Sequence, residues 1–138
     1  QRLMRAIEVI YSTSKPFSKF RKEQVKKRSF NIIKIGLEMK REDLYKIINK
    51  RVDIMIENGL LNEVQFLLNH RNKNSLQTVG YKELFEHLDG KYSQEEAIDM
   101  IKQNTRRFAK RQISWFKRDH TITNFSTNKI EEIIKFIG

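Results

Sequence analysis

At 138 residues the chain suits one domain, long enough to bury a core and too short for two ordinary ones. Lys and Arg number 28 against 17 acidic residues; the resulting +11 is not needed for folding but suits polyanion binding, and points to RNA, DNA or an anionic membrane surface. The absence of cysteine excludes disulfides, Cys-based zinc sites and thiol nucleophiles, and no apolar run approaches the roughly 20 residues of a spanning helix, so a soluble, cytoplasmic protein is expected.

QRLMRAIEVIY has no initiator Met and opens inside an amphipathic pattern, with Leu3, Ala6, Ile7 and Ile10 at helical spacing, as in a chain cut from something longer. This first helix is expected to stop near Tyr11, where Ser12-Thr13-Ser14-Lys15-Pro16 supplies turn formers. The basic stretch SKFRKEQVKKRSF reads either as a solvated loop or frayed helix, or as an arm against a phosphate backbone. NIIKIGLEM, residues 31–39, reads as a strand with Ile33, Ile35, Leu37 and Met39 on one face; its partner lies either in TITNF, 121–125, or in sequence beyond this chain.

REDLYKIINKRVDIMIENG predicts a helix with acids in its first turn and Asn58-Gly59 as its stop. A second helical stripe follows in Leu60, Leu61, Val64, Leu67 and Leu68, then a polar loop, RNKNSLQ. Tyr81, Leu84, Phe85 and Leu88 share one side of YKELFEHL before Asp89-Gly90 ends it. Ser93 and Glu96 form a capping box that opens a long helix to about Lys117, and Asn128 with Glu131 is expected to cap a last short one.

At about 100° per residue, Arg106, Arg107, Lys110, Arg111, Lys117 and Arg118 fall on one face of the long helix, with no acid before Asp119. Phe108, Ala109, Trp115 and Phe116, with Ile98 and Ile101 upstream, fall on the other and are expected to anchor it to a core. Such a face predicts salt-sensitive, sequence-blind polyanion binding, with plain solubility as the bland alternative. Several residues do not fit the pattern. Gln112 and Thr105 sit on the apolar side, so Gln112 is either a core amide tied to backbone or a polar group lining a channel or reading a base edge. Arg51 projects between Leu44, Ile48 and Met55, where it needs either a buried carboxylate or a phosphate. Gly80, before Tyr81 in QTVGYK, serves either as a helix-opening turn or as a close approach to a nucleotide.

The five glycines are scattered, so no Gly-rich phosphate loop is present. His70, His87 and His120 lack metal-ligand spacing, and no nucleophile stands with a base. Taken alone, these residues describe a basic, mainly helical RNA-binding module. A membrane-surface protein ranks lower, because the basic helix is expected to back onto a packed aromatic face.

Four segments in order, QRLMRAIEVIYSTSKP, IGLEMKREDLYKIINKRVDIMIENGLLNEV, QTVGYKELFEHLDG and EEAIDMIKQNTRRFAKRQISWFKR, resemble the C-terminal half of the tRNA dimethylallyltransferases and cover most of residues 1–118. The resemblance implies transfer of the dimethylallyl group of dimethylallyl diphosphate to the exocyclic amine of the adenosine 3′ of the anticodon, assisted by Mg2+ bound outside this segment. It implies a mainly α chain with one or two strands, the C-terminal part of an α/β, P-loop NTPase-like (nucleotide-kinase-like) core. It further implies that residues 1–138 are one portion of that core domain, that the complete enzyme is a monomer, and that the target base is drawn out of its loop.

Matched position by position, Arg51 is expected at the diphosphate. Gln1, Arg2, Arg5, Gln77, Thr78, Gly80, Tyr81, Lys82, Lys110, Arg111, Gln112, Trp115 and Lys117 are expected at the anticodon stem-loop. The phosphate loop and the general-base aspartate precede the matching segment in the family, so no catalytic or metal-binding residue is expected here, and these residues alone are expected to be inactive.

Overall fold

The computed structural model describes residues 2–20 and 29–138, and the chain divides into two units, Gln1–Ile32 and Ile33–Gly138. In the first unit, α1 spans Arg2–Thr13, two residues past the expected stop. The extension comes from Thr13, whose hydroxyl donates to the Val9 carbonyl at 2.6 Å, while Ser14 takes a positive φ of 53° and ends the helix. Leu3, Met4, Ile7 and Ile10 are exposed, and a short 3-10 turn, Phe17–Lys19, follows. Most of the basic stretch that could form a backbone-contacting arm, residues 21–28, lies outside the described residues.

The second unit contains β1 (Lys34–Glu38), α2 (Arg41–Glu57), α3 (Leu60–Phe66), α4 (Tyr81–Leu88), α5 (Gln94–Phe116), β2 (Ile122–Ser126) and α6 (Ile130–Ile137), with 3-10 turns at Leu68–His70 and Asn74–Leu76 between α3 and α4. Among the described residues the chain is therefore mainly helical with one two-stranded parallel sheet. Gly59, at φ 92°, breaks α2 from α3 in a conformation that favours glycine. The Ser93–Glu96 capping box forms as expected, each residue bonding the other's backbone N–H, at 3.2 and 2.8 Å.

Val52 of α2, Leu60 and Val64 of α3, Leu84 and Phe85 of α4, and Ala97 and Ile101 of α5 make one buried cluster, with Met55, Ile56, Leu61, Leu76, Tyr81, Leu88 and Ile98 packed around it. The stripes predicted for α2, α3 and α4 thus converge. At about 1.5 to 3 kcal/mol for each large apolar side chain removed from water, this cluster is the main stabilising feature of the unit.

TITNF does supply the partner strand. β1 and β2 pair in parallel, with Lys34 opposite Ile122 and Gly36 opposite Asn124, so α2–α5 form the long crossover that parallel strands require. A Cβ at Gly36 would collide with the Asn124 side chain and lie 2.9 Å from Ile122 Cγ2, which explains the missing side chain there. The strand is shorter than predicted, and its apolar face is not buried: Ile33, Leu37 and Met39 are exposed, because among the described residues two strands have no further layer to cover them. Lys34 and Asp119 form an ion pair at 2.7 Å beside the start of this pairing.

The expected Asn128–Glu131 cap does not form. The Lys129 N–H bonds the Ser126 carbonyl, so α6 begins one residue later with Lys129 as its N-cap, and Lys129 pairs with Glu132 at 2.7 Å. Phe136 of α6 packs against Phe125 of β2 with ring centroids 5.4 Å apart.

Candidate nucleic-acid interface

α5 has two halves with different surroundings. Three polar ties leave it within about one turn: Lys102 to Asp53 of α2 at 2.6 Å, Asn104 to Glu83 of α4 at 2.7 Å, and Arg106 to Asn49 of α2 at 2.6 Å, with the Arg106 guanidinium also over the Tyr45 ring. Among the described residues, no hydrogen bond or ion pair joins the helix to another element beyond Arg106. The aromatic residues expected to anchor this end do not: Phe108, Trp115 and Phe116 are 50%, 66% and 52% exposed. The helix runs past the last core residue, Ile101, by roughly four turns, and its aromatics contact their own helix instead. Trp115 meets Phe116 edge-on at 4.9 Å, and Arg111 lies over the Phe108 ring.

The basic face is present but smaller than the sequence suggests, since Arg106 is engaged with α2. Lys110, Arg111, Lys117 and Arg118 are exposed and have no acidic partner among the described residues; Arg107 reaches only its neighbour Asn104, at 3.4 Å. Gln112 is exposed, so it is not a core amide: the aromatics on either side of it are open to solvent. Thr105 satisfies its hydroxyl within the helix, donating to the Ile101 carbonyl at 2.7 Å. The end of α5 therefore presents four exposed cations that have no acidic partner among the described residues, beside an exposed Trp, a combination that can hold phosphates and stack on bases.

QTVGYK is a second cluster, and most of it is held in place. Gln77 donates its amide to the Arg71 carbonyl at 2.6 Å. Arg71 itself grips Asp89 through two bonds of 2.7 and 2.6 Å and lies over the Phe85 ring, and this pairing keeps the Asp89 carboxyl below its ordinary pKa. Gly80 has φ 104° and opens α4, as a helix-opening turn should. The Tyr81 hydroxyl donates to Glu63 at 2.6 Å, which raises its pKa, with burial adding to the effect. Thr78 and Lys82 are exposed, and the Lys82 ammonium has no acidic partner among the described residues.

Sequence reasoning missed Glu83. It is 4% exposed, and its two oxygens accept the Gly80 N–H at 2.8 Å and the Asn104 amide at 2.7 Å. The available signal was a glutamate three residues after the glycine that opens a helix, where a side chain reaches back to the N-cap N–H.

Arg51 is also corrected. It is exposed rather than set within the apolar stripe, because α2 buries Ile48 and Val52 and turns Arg51 outward, and it pairs with no carboxylate among the described residues. A buried salt bridge is thereby excluded for Arg51 within this set. In the first unit, Arg2 is exposed and Arg5 pairs with Glu8 at 3.2 Å, while Gln1 lies outside the described residues. His87 Nδ1 is 2.9 Å from the Tyr92 carbonyl, and among the described residues no three His, Asp or Glu side chains converge as metal ligands. No helix among the described residues is long and apolar enough to cross a membrane.

Residues 1–119 match the family model described as IPP transferase. The chain belongs to that family. It is 48% identical over 137 residues to tRNA dimethylallyltransferase 1 of Bacteroides thetaiotaomicron, covering 99% of this chain and 44% of that protein. It is 52% identical over 132 residues to tRNA dimethylallyltransferase 2 of Azobacteroides pseudotrichonymphae, covering 96% and 43%. Among solved structures it is similar to the tRNA delta(2)-isopentenylpyrophosphate transferase of Staphylococcus epidermidis, with a TM-score of 0.73, 40% identity and coverage of 99% and 48%. The full-length tRNA isopentenylpyrophosphate transferase of Bacillus halodurans gives a TM-score of 0.74, 41% identity and coverage of 99% and 43%. The chain thus spans less than half the length of these IPP transferase relatives.

Proposed function

We propose that residues 1–138 are the RNA-gripping portion of a tRNA dimethylallyltransferase. The observation that carries this reading is the end of α5, where Lys110, Arg111, Lys117 and Arg118 are exposed with no acidic partner among the described residues, beside an exposed Trp115. In the reaction, the adenosine exocyclic nitrogen forms a bond to the first carbon of the dimethylallyl group, the carbon–oxygen bond to diphosphate breaks, and the nitrogen loses a proton to a base. Lys110, Arg111 and Lys117 hold phosphates of the anticodon stem-loop, Trp115 offers a stacking surface, and Gln112 reaches bases from the same turn. Gln77, Thr78, Gly80, Tyr81 and Lys82 form a second contact, and Gln1, Arg2 and Arg5 a third. Arg51, exposed and without a carboxylate partner among the described residues, binds the diphosphate oxygens.

A P-loop NTPase-like core, the general base and the ligands of Mg2+ belong to the rest of the complete protein, which acts as a monomer. Among the described residues no metal-ligand cluster forms. On this reading the 138 residues alone transfer no dimethylallyl group, because the phosphate loop and the general base lie in the rest of the complete protein.

The rival is a basic helical RNA-binding module without chemistry. The packed aromatic face that ranks a membrane surface last on sequence is open in the structure; family membership is what favours RNA over lipid. The test is transfer of labelled dimethylallyl from its diphosphate to an anticodon stem-loop, by the complete protein and by residues 1–138. Transfer by the first and RNA binding without transfer by the second is the expected result. Transfer by residues 1–138 alone would overturn the division of labour, and binding without transfer by both would leave the module.

A further inference from the structure

Buried carboxylates are costly unless both oxygens are satisfied, and Glu83 satisfies both in a particular way. Its Oε2 accepts the N–H of Gly80, the residue at φ 104° that opens α4, and its Oε1 accepts the side-chain amide of Asn104 on α5. A helix cap requires only the first of these bonds. The second crosses to α5 two residues before Arg106, the last residue tied to α2. One buried side chain therefore joins the turn Gly80–Lys82 to the helix that carries Lys110–Lys117.

We propose that Glu83 and Asn104 are positioning residues that set the Gly80–Lys82 turn at a fixed distance from the basic end of α5, so that both meet the same RNA. The inference rests on the RNA-binding reading above. Neither residue touches RNA or the reacting atoms; they act through the backbone of Gly80 and the axis of α5. Tyr81–Glu63 braces the same turn and Gln77–Arg71 the segment before it, while Leu84 and Phe85 stay packed with Ala97 and Ile101, so loss of the Glu83–Asn104 bond leaves the turn folded and loosens only its alignment with α5 beyond Ile101.

The experiment uses the complete protein and an anticodon stem-loop RNA, and measures RNA affinity, KM for RNA, kcat and the melting temperature. Asn104→Ala keeps the Glu83–Gly80 cap and removes the cross-helix bond. RNA affinity is expected to fall roughly tenfold, with KM for RNA rising to match and kcat little changed. Asn104→Asp sets two carboxylates against each other and weakens binding further. Glu83→Gln combined with Asn104→Asp restores a donor facing an acceptor, with the oxygen of the introduced amide still free to accept from Gly80, and returns affinity to within about twofold of the parent.

Val64→Ala, a core substitution in α3, is the control for lost stability. If Asn104→Ala lowers the melting temperature as Val64→Ala does but leaves RNA affinity unchanged, or if the double exchange folds without restoring affinity, the inference is overturned. If Arg111→Ala also leaves affinity unchanged, the RNA-binding reading falls with it; if Arg111→Ala weakens binding while Asn104→Ala does not, only the positioning role fails.

Discussion

Arg106 and Arg111 lie on the same face of α5, and replacing each by Ala separates what that face does. Arg111 is exposed with no acidic partner among the described residues and carries its charge into solvent. If it neutralises one phosphate, its loss makes the slope of log affinity against log salt shallower by roughly 0.7 to 0.9. The affinity deficit of Arg111→Ala is then roughly five- to eightfold at 0.1 M salt and closes towards 1 M, while the melting temperature stays within about 1 °C. Arg106 donates to Asn49 at 2.6 Å and covers the Tyr45 ring. Its removal costs about 1.5 kcal/mol of stability, a fall of roughly 5 °C for a domain of this size, with little change in salt slope. Filter binding of an anticodon stem-loop from about 50 to 400 mM salt, beside thermal melts, reads both quantities. Equal salt slopes for the two variants would refute the division of the face into a free half and an engaged half.

Leu84 is 0% exposed at the centre of the cluster, so Leu84→Ala should cost about 3 kcal/mol in urea unfolding, and a loss under about 1 kcal/mol would show the cluster is not the main core. Asp119 is held well below its ordinary value near 3.8 by Lys34 and by both the hydroxyl and N–H of Thr121. Its depressed folded pKa contributes stability above about pH 3.8 that disappears as pH falls through the folded value; Asp119→Asn should therefore be less stable at neutral pH, with the gap closing in acid, and a gap that persists in strong acid would contradict this. Arg51→Ala should change stability by less than about 0.5 kcal/mol and leave RNA affinity alone. In the complete protein it should raise KM for dimethylallyl diphosphate by roughly tenfold or more, and an unchanged KM would remove Arg51 from the diphosphate site.

What could be read from sequence was local. The Ser93–Glu96 box depends on residues three apart, and Gly59 and Gly80 mark breaks that need a positive φ, so most helix limits were legible to within a residue or two; α3 ends at Phe66, short of the Leu67 and Leu68 expected in its stripe, which fall at its end and in a 3-10 turn. TITNF was legible only as one of two possible partners for NIIKIGLEM; the parallel register between them comes from the structure. A helical wheel, however, gives direction without giving neighbours. It places Arg106 and Arg111 together, yet Asn49, 57 residues away, decides that one is engaged and the other free. In the same way it marks Phe108, Trp115 and Phe116 as apolar-facing without showing that half or more of each remains exposed. Arg51 was misplaced for a related reason: a narrow buried stripe at Ile48 and Val52 leaves room for an outward arginine between apolar residues that are only half-buried.

The three ties at Lys102, Asn104 and Arg106 connect these observations. They point from consecutive parts of one turn to Asp53 and Asn49 of α2 and to Glu83 of α4, and they lie where the apolar contacts of α5 end at Ile101. Upstream the helix is held by burial; at this turn it is held by oriented polar bonds; downstream, among the described residues, it is held only by its own backbone and by contacts within the helix. An α-helix resists bending over such a length, so fixing its axis at residues 102–106 fixes the direction in which Lys110–Lys117 project. Apolar packing fixes the helix up to Ile101, and directional bonds to two different helices extend that constraint by one more turn. On the proposed positioning role, loss of the Asn104 bond within this turn should therefore alter RNA affinity out of proportion to the stability it removes, whereas Arg106→Ala acts mainly on stability.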